Sequence, residues 1–583
     1  MSDIIKENKC FVSTLSRLRE SSKDAVVSAN FTDPYTMYMH IDRPVQDDFV
    51  SILEKTYDTT HSELILLCGS VGDGKSHMLS YCAQMYPDMM KSFYVHNDST
   101  ASLYIDKPAS YTLSELMEDF TDEKLAISNK KVILAINLGT LSNFLEADKD
   151  NRFDRLRAYV EKAGILDRYI GADSTDEYFH SVNFADYHLF ELTPNGTKSD
   201  YVSGIINKIT QKNENNPYYT SFCNSCMSCE NREKCPIKAN YELLSNPNVQ
   251  NGVINSLTEA IVKNKLIVST RSLLNLIYEI LVDERHFDRG SLEPRKEPGK
   301  MNNVVFCESL LPNTLFGRRG TSEILDSMAS VDPMRIRNEG IDDFFVYYEN
   351  SGDTLDIFAS DLGEYKSLIT RLKGVKFNEQ STHNIKEAVL KLYVRLCWLT
   401  DKRRDLLPAD KDYEEYMAAL YSWNNGDHKA LKDVYALVEK GVLAWNGPVN
   451  KNEMQIPTGN KKTDYHLIQE IQIKAIPDNL PVEKKEILYS FQNELKLKYK
   501  YNGGETVLEV DFALYSLLKR VLGGYIPNII DKRVNVKCVE FIKKISRGGK
   551  KMEFLVARDL THKEPLEFRI EFDDVFGYSF EVK

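Results

Sequence analysis

The octapeptide GSVGDGKS, residues 69–76, meets the pattern G-x-x-x-x-G-K-[ST] at every fixed position. Gly69, Gly72 and Gly74 allow the backbone to turn sharply and point N–H groups inward, with Ser70, Val71 and Asp73 between them. A helix starting after Gly74 adds its positive end, the usual seat of a phosphate. Lys75 is the residue type that reaches the β and γ oxygens, and Ser76 supplies a hydroxyl for Mg²⁺. His77 follows on the first helical turn. The apolar LILLC before the loop and SHMLSYCAQMY after it supply the strand and helix the motif needs. The spacing predicts a site for ATP with Mg²⁺.

Hydrolysis demands more than binding. A carboxylate near the end of a neighbouring strand must hold the metal, and a second commonly orients water. The strand-like VILAIN ends instead in Asn137, followed by Leu138. An amide does not replace a charge, so turnover and binding without turnover both remain open. Asp98 in HNDST and Asp186 in NFADY are the alternative acids, each also readable as an ordinary turn or cap residue. Two arginines are candidates for phosphate contact. Arg271 stands near the start of the helical LIVSTRSLLNLIYEILVDE, and Arg318 precedes Arg319 in a glycine-flanked turn. A solvated helix-end or turn arginine is the plain alternative for each.

Cys223, Cys226, Cys229 and Cys235 form C-x₂-C-x₂-C-x₅-C, and this close grouping of thiols predicts a metal site rather than disulfides. Zinc tolerates the long last gap and is the favoured metal; an iron–sulfur cluster is the alternative. The polar TQKNENNPYYTS before it reads as a surface excursion carrying a small metal-stapled knuckle.

The elements that must position these residues follow from periodicity. SFYVHN, KVILAINLG and HSVNFADYHLFEL read as further strands separated by helices, giving an α/β fold with a mostly parallel sheet in a P-loop NTPase core. The expected organisation is an N-terminal segment (1–45), a nucleotide-binding domain (46–300) with the Cys-rich insertion (213–245), a helical domain (301–442) and a C-terminal α+β domain (443–583). Within the last, KKISRGGKK, residues 543–551, reads as a basic hairpin turn able to meet DNA phosphate, or as a tip charged for solubility.

The 583 residues, 42% hydrophobic and 27% charged, suit several globular domains. The net charge of −12 opposes non-specific binding of nucleic acid by the whole surface, so any DNA contact needs a local basic patch. Charges interrupt the apolar stretches of the N-terminus and no run is long enough to span a bilayer, so a cytoplasmic protein without membrane contact is expected.

CGSVGDGKSHMLSY, YVHNDST, ILAINLGTLSNF, NFADYHLFEL, CENREKCPIKAN, LLNLIYEILV and LLPNTLFGRRG, in that order, resemble the DNA phosphorothioation-dependent restriction proteins of the DptF (DndF) type. The resemblance covers residues 43–332 and touches the terminal FRIEFDDVFGYSFEV. It implies the ATPase component of a bacterial antiviral system that works with DptG- and DptH-like partners on DNA lacking the modification. It also implies a phosphate-binding role for Gly69, Gly72, Gly74, Lys75 and Ser76. The competing readings are a nucleotide-switched assembly scaffold and, from the cysteines, an iron–sulfur redox or helicase-like protein. The oligomeric state is left open.

Overall fold

A computed structural model describes residues 10–19, 34–97, 109–166, 175–286, 301–377, 379–447, 450–456, 465–477, 484–547, 555–559 and 566–582. The chain divides into two compact units, one of Met1–Glu191 with Thr197–Ala409 and one of Leu192–Gly196 with Asp410–Lys583.

The first unit is built on a sheet whose central strand is apolar throughout except at its first residue. Strand β1 (Glu63–Cys68) is buried at all six positions, as a strand covered on both faces must be. With β2 (Tyr94–His96), β3 (Lys131–Ile136) and β4 (Phe179–Asn183) it forms a four-stranded sheet in the order β2-β3-β1-β4. Every pairing is parallel. Cys68 stands level with Ile136 on one side and Asn183 on the other, so the chain leaves β1, β3 and β4 along one edge. Alternation then sorts the side chains. Leu64, Leu66, Val132 and Leu134 pack with Phe120, Leu141 and Leu156 on one face. Ile65, Leu67, Ile133 and Ala135 pack with Phe49, Leu53, Met78 and Leu79 on the other. The expected α/β character with a parallel sheet is present.

Apart from strand Tyr187–Thr193, which begins in this unit, most of the rest of it is helical and shares one apolar core running from Phe11 to Leu407. Helix His383–Leu399 contributes nine buried apolar residues to it. Arg395 on that helix is buried too, and it is matched: its Nε and Nη2 donate to Asp332 at 3.1 and 2.6 Å, and Nη1 donates to Asn313 at 2.9 Å. Helix Pro247–Asn264 crosses the end of the same helix at Gly252, where a Cβ would lie 2.1 Å from the Leu399 carbonyl oxygen.

The division at 409/410 falls inside the helical stretch expected over 301–442. Helices Lys411–Asn424 and Lys432–Leu443 belong to the second unit, where Gly441 lets the second of them approach Leu518 of helix Phe512–Leu522. This unit contains an antiparallel sheet of Gly504–Val510, Leu495–Tyr501 and Ile473–Ala475. A second antiparallel sheet runs Gly577–Val582, Leu566–Asp573, Leu555–Asp559, Tyr465–Glu470, Glu453–Ile456.

One expectation in this unit is corrected. Lys543, Lys544 and Arg547 do not sit in a hairpin turn but close helix Val536–Arg547, whose buried stripe of Cys538, Phe541, Ile542 and Ile545 has helical spacing. Lys550 and Lys551 lie outside the described residues. No helix among the described residues is long and apolar enough to cross a membrane.

The close approach at Gly252 sets a stability test. Gly252→Ala forces two helix backbones apart, and an unfolding midpoint measured by circular dichroism is expected to show a loss of about 2–3 kcal/mol, the upper part of the range for overpacking.

Candidate functional site

The loop following β1 has the conformation its glycines permit. Gly72 and Gly74 have φ of 89° and 101°, where a side chain is strained, and Gly74 is the N-cap of the eleven-residue helix Lys75–Met85. Asp73 braces the loop from within, accepting a hydrogen bond from the Ser70 backbone N–H at 2.5 Å. Burial raises its carboxyl, while the Ser70 bond, Lys75 and Arg43 act in the opposite direction. Lys75 folds back over the loop, its Nζ donating to the carbonyls of Gly69 at 2.8 Å and Ser70 at 2.7 Å. The ammonium is therefore held over the concave backbone by neutral acceptors that a phosphate oxygen could replace. Val71 at the tip is 76% exposed, so the mouth of the loop is open to solvent.

A second helix end meets this loop. Ser269 caps helix Thr270–Leu281 through a reciprocal capping box with Ser272. Its first residues lie against Gly72: the Arg271 N–H donates to the Gly72 carbonyl at 3.4 Å, and a Cβ on Gly72 would stand 3.0 Å from Ser269 Oγ. Thr270 Oγ1 reaches the Asp73 carbonyl at 3.5 Å and shares a 2.9 Å hydrogen bond with the Tyr201 hydroxyl. The backbone and Cβ of Arg271 thus lie against the loop. Its Nε is buried and meets no hydrogen-bond partner among the described residues.

A third cation closes the arrangement. Arg43 donates from Nη1 to the Asp73 carbonyl at 3.3 Å, with its guanidinium 4.5 Å from the Tyr201 ring centroid and 5.6 Å from that of Phe184. Lys75, Arg43 and Arg271 thus converge on one glycine-rich loop at the positive ends of two helices. The donor set fits a polyanion such as a nucleotide phosphate chain: the loop backbone, Lys75 and Arg271 would hold the phosphates, and Ser76 would take Mg²⁺.

The acids are placed less uniformly. Asn137 caps helix Leu138–Ala147, its Oδ1 accepting from the Thr140 N–H at 2.7 Å. It ends the strand beside β1, where a carboxylate had been sought. Asp186 lies in the short turn after β4, accepts from Asn183 Nδ2 at 3.2 Å, and is within electrostatic reach of Cys68 together with Lys75. Burial first, then Asp186, pushes the Cys68 thiol up to about 12, with Lys75 opposing, so it is a neutral strand residue. Asp98 lies outside the described residues. Arg318 is held toward the other end of helix Thr270–Leu281, donating to the Glu279 carbonyl at 3.4 Å. Sequence reading missed Arg43, Ser269 and Thr270, which no motif marks and which the fold brings to the loop from distant segments.

Behind the loop, His77 shares a 2.9 Å hydrogen bond with His40, whose ring stacks on Tyr81 at 3.5 Å and whose Nε2 faces Asp42 at 3.2 Å. Burial, then His40, brings His77 down to about 4. The cysteines of the motif differ in exposure: Cys226 is buried, Cys223 and Cys235 are half-buried, and Cys229 is exposed. Among the described residues no three His, Cys, Asp or Glu side chains are gathered so as to hold a metal ion.

Comparison with known proteins finds no matching family model, no similar curated protein and no similar solved structure.

Two tests follow from this geometry. Gly72→Ala is expected to cost about 1–2 kcal/mol through its left-handed backbone, with further loss against Ser269, and to lower phosphate-ligand affinity in calorimetry. His77 protonates near pH 6.5 when unfolded and only near 4 when folded, so stability falls as pH drops through that window. The decline should approach about 1.4 kcal/mol per pH unit and flatten in His77→Asn, as read from urea midpoints of both proteins.

Proposed function

We propose that the chain is a nucleotide-binding subunit that takes ATP with Mg²⁺ on the loop at residues 69–76. The observation that carries this reading is the buried, unpartnered Arg271 Nε beside a loop whose own lysine rests on neutral carbonyls. An anion at this place would partner the guanidinium and replace the carbonyls around Lys75 with charged acceptors. Two helix N-termini and the open mouth at Val71 favour the same class of ligand.

In this reading the loop and Lys75 bind and orient the phosphates, Arg271 neutralises them, and Asp73 and Arg43 keep the loop in shape. Asp186, which like Lys75 lies within electrostatic reach of Cys68, is the carboxylate assigned to assist Mg²⁺ or water. The resemblance to DptF-type proteins extends the proposal to an ATPase component of an antiviral restriction system. Such a component acts with DptG- and DptH-like partners in the cytoplasm on DNA lacking phosphorothioate, with DNA reached through the complex.

The second reading, a nucleotide-switched scaffold without significant hydrolysis, is favoured by Asn137. Its amide oxygen is spent on a helix cap and offers no charge to a metal. Binding would then act by shifting the chain between assembly states.

Lys75→Ala is expected to weaken MgATP binding at least about tenfold, close to 1.4 kcal/mol, and Arg271→Ala severalfold, by titration calorimetry on the full chain. ATP turnover, alone and with the partners on modified and unmodified DNA, separates the readings. Turnover stimulated by unmodified DNA supports the ATPase. Loss of restriction in Lys75→Ala with no turnover in any mixture supports the scaffold, and Asn137→Asp would then be the variant expected to gain hydrolysis. A wild-type chain that binds no ATP overturns both.

A further inference from the structure

The cysteine motif offers four thiols in sequence, but the fold brings a fifth to them. The segment at residues 10–18 packs beside helix Pro217–Cys226, with Thr14 Oγ1 2.7 Å from Ser221 Oγ. Phe11 anchors it, its ring lying edge-on to Phe222 at 5.6 Å and to Tyr241 at 5.0 Å. Phe222 and Tyr241 themselves stack at 4.5 Å, which ties helix Pro217–Cys226 to helix Pro236–Leu244. Cys226 is the last residue of the first of these helices and Cys235 is the N-cap of the second. Cys10, the residue before Phe11, is therefore delivered to the same junction by a packed aromatic wedge.

The turn between the two helices is shaped around the third thiol. The Cys229 N–H donates to the Cys226 carbonyl at 3.3 Å, the Arg232 N–H to the Cys229 carbonyl at 3.2 Å, and Arg232 Nη1 to the Met227 carbonyl at 2.8 Å. Each of the six pairs among Cys10, Cys226, Cys229 and Cys235 is within electrostatic reach. Cys223 is engaged elsewhere. Its thiol is engaged with Tyr219, one turn earlier on the helix.

We propose that Cys10, Cys226, Cys229 and Cys235 form one tetrathiolate metal centre, in which Cys10 rather than Cys223 is the fourth ligand. The inference is independent of the nucleotide reading. A thiophilic metal takes the four as thiolates and releases the four thiol protons to solvent. Among the described residues no three potential ligands are gathered so as to hold a metal, so the proposed centre requires the four thiols to draw together when the metal binds. Cys10 and Cys229 are the two exposed members and lie in non-helical backbone. The result is a staple joining the start of the chain to the turn between two core helices. A zinc ion and an iron–sulfur cluster share this ligand chemistry.

The test uses the full chain purified without oxygen. Elemental analysis and the visible spectrum distinguish one zinc per chain, colourless, from iron with acid-labile sulfide and a brown absorbance. Either centre is expected to be depleted at least fivefold in Cys10→Ser and retained in Cys223→Ser. In the wild type, alkylation followed by peptide mass spectrometry gives the same answer without a variant: removing the metal should raise Cys10 modification at least about tenfold and leave Cys223 unchanged. A wild-type chain without zinc or iron, Cys10 reactivity indifferent to metal removal, or depletion in Cys223→Ser with retention in Cys10→Ser would each overturn the assignment.

Discussion

The contact between Gly72 and the first turn of helix Thr270–Leu281 is the constraint around which the first unit is organised. A loop of glycines beyond a strand has little to hold it, since it lacks side chains to pack and its backbone is permissive. Here the loop is pinned from outside by Ser269, Thr270 and Arg271 and from inside by Asp73. The absence of a Cβ at Gly72 is what allows a capped helix end to approach so closely. Through that contact the parallel sheet and the helical body meet at the site.

The helical body in turn relies on polar groups buried with their partners. Asn240 donates to the carbonyls of Leu281 and Ser309 at 3.2 and 2.9 Å and accepts from the Leu311 N–H at 2.6 Å, which joins the ends of three helical segments. Arg395 does similar work between Asp332 and Asn313. Groups of this kind contribute modestly when satisfied and cost several kcal/mol when one partner is lost, so they specify one arrangement of helices more than they add stability. Helix Thr270–Leu281, whose first turn lies against Gly72, ends at one of these junctions.

Asn137 shows how one position serves two demands. Leaving β3 beside the loop, it is where a metal-binding acid would act, and it is also the N-cap of the helix that covers one face of the sheet. Asparagine and aspartate cap a helix about equally well, so the cap explains a short polar residue here and leaves the absence of charge unexplained. The electrostatics near the loop consequently lean positive, with Lys75, Arg43 and Arg271 set against Asp73 and Asp186.

Much of this was legible in the residues. The buried apolar run of β1, the glycine spacing, the helix after Lys75 and the other three strands follow from local periodicity and backbone preference, which depend on neighbours in sequence. The tail segment at 543–547 was misread because basic residues on the exposed face of an amphipathic helix resemble those of a charged turn until burial separates Phe541, Ile542 and Ile545 from them. Other features had no local signature. Arg43, Ser269 and Thr270 reach the loop only through strand order and helix packing, and Cys10 reaches the Cys-rich turn only because Phe11 is wedged against Phe222 and Tyr241. The sequence by itself determined the loop and its backbone conformation, because a glycine-rich turn between a strand and a helix is made of consecutive residues. Tertiary structure alone decided which distant side chains surround it, because their approach is set by core packing between segments that the chain order keeps apart.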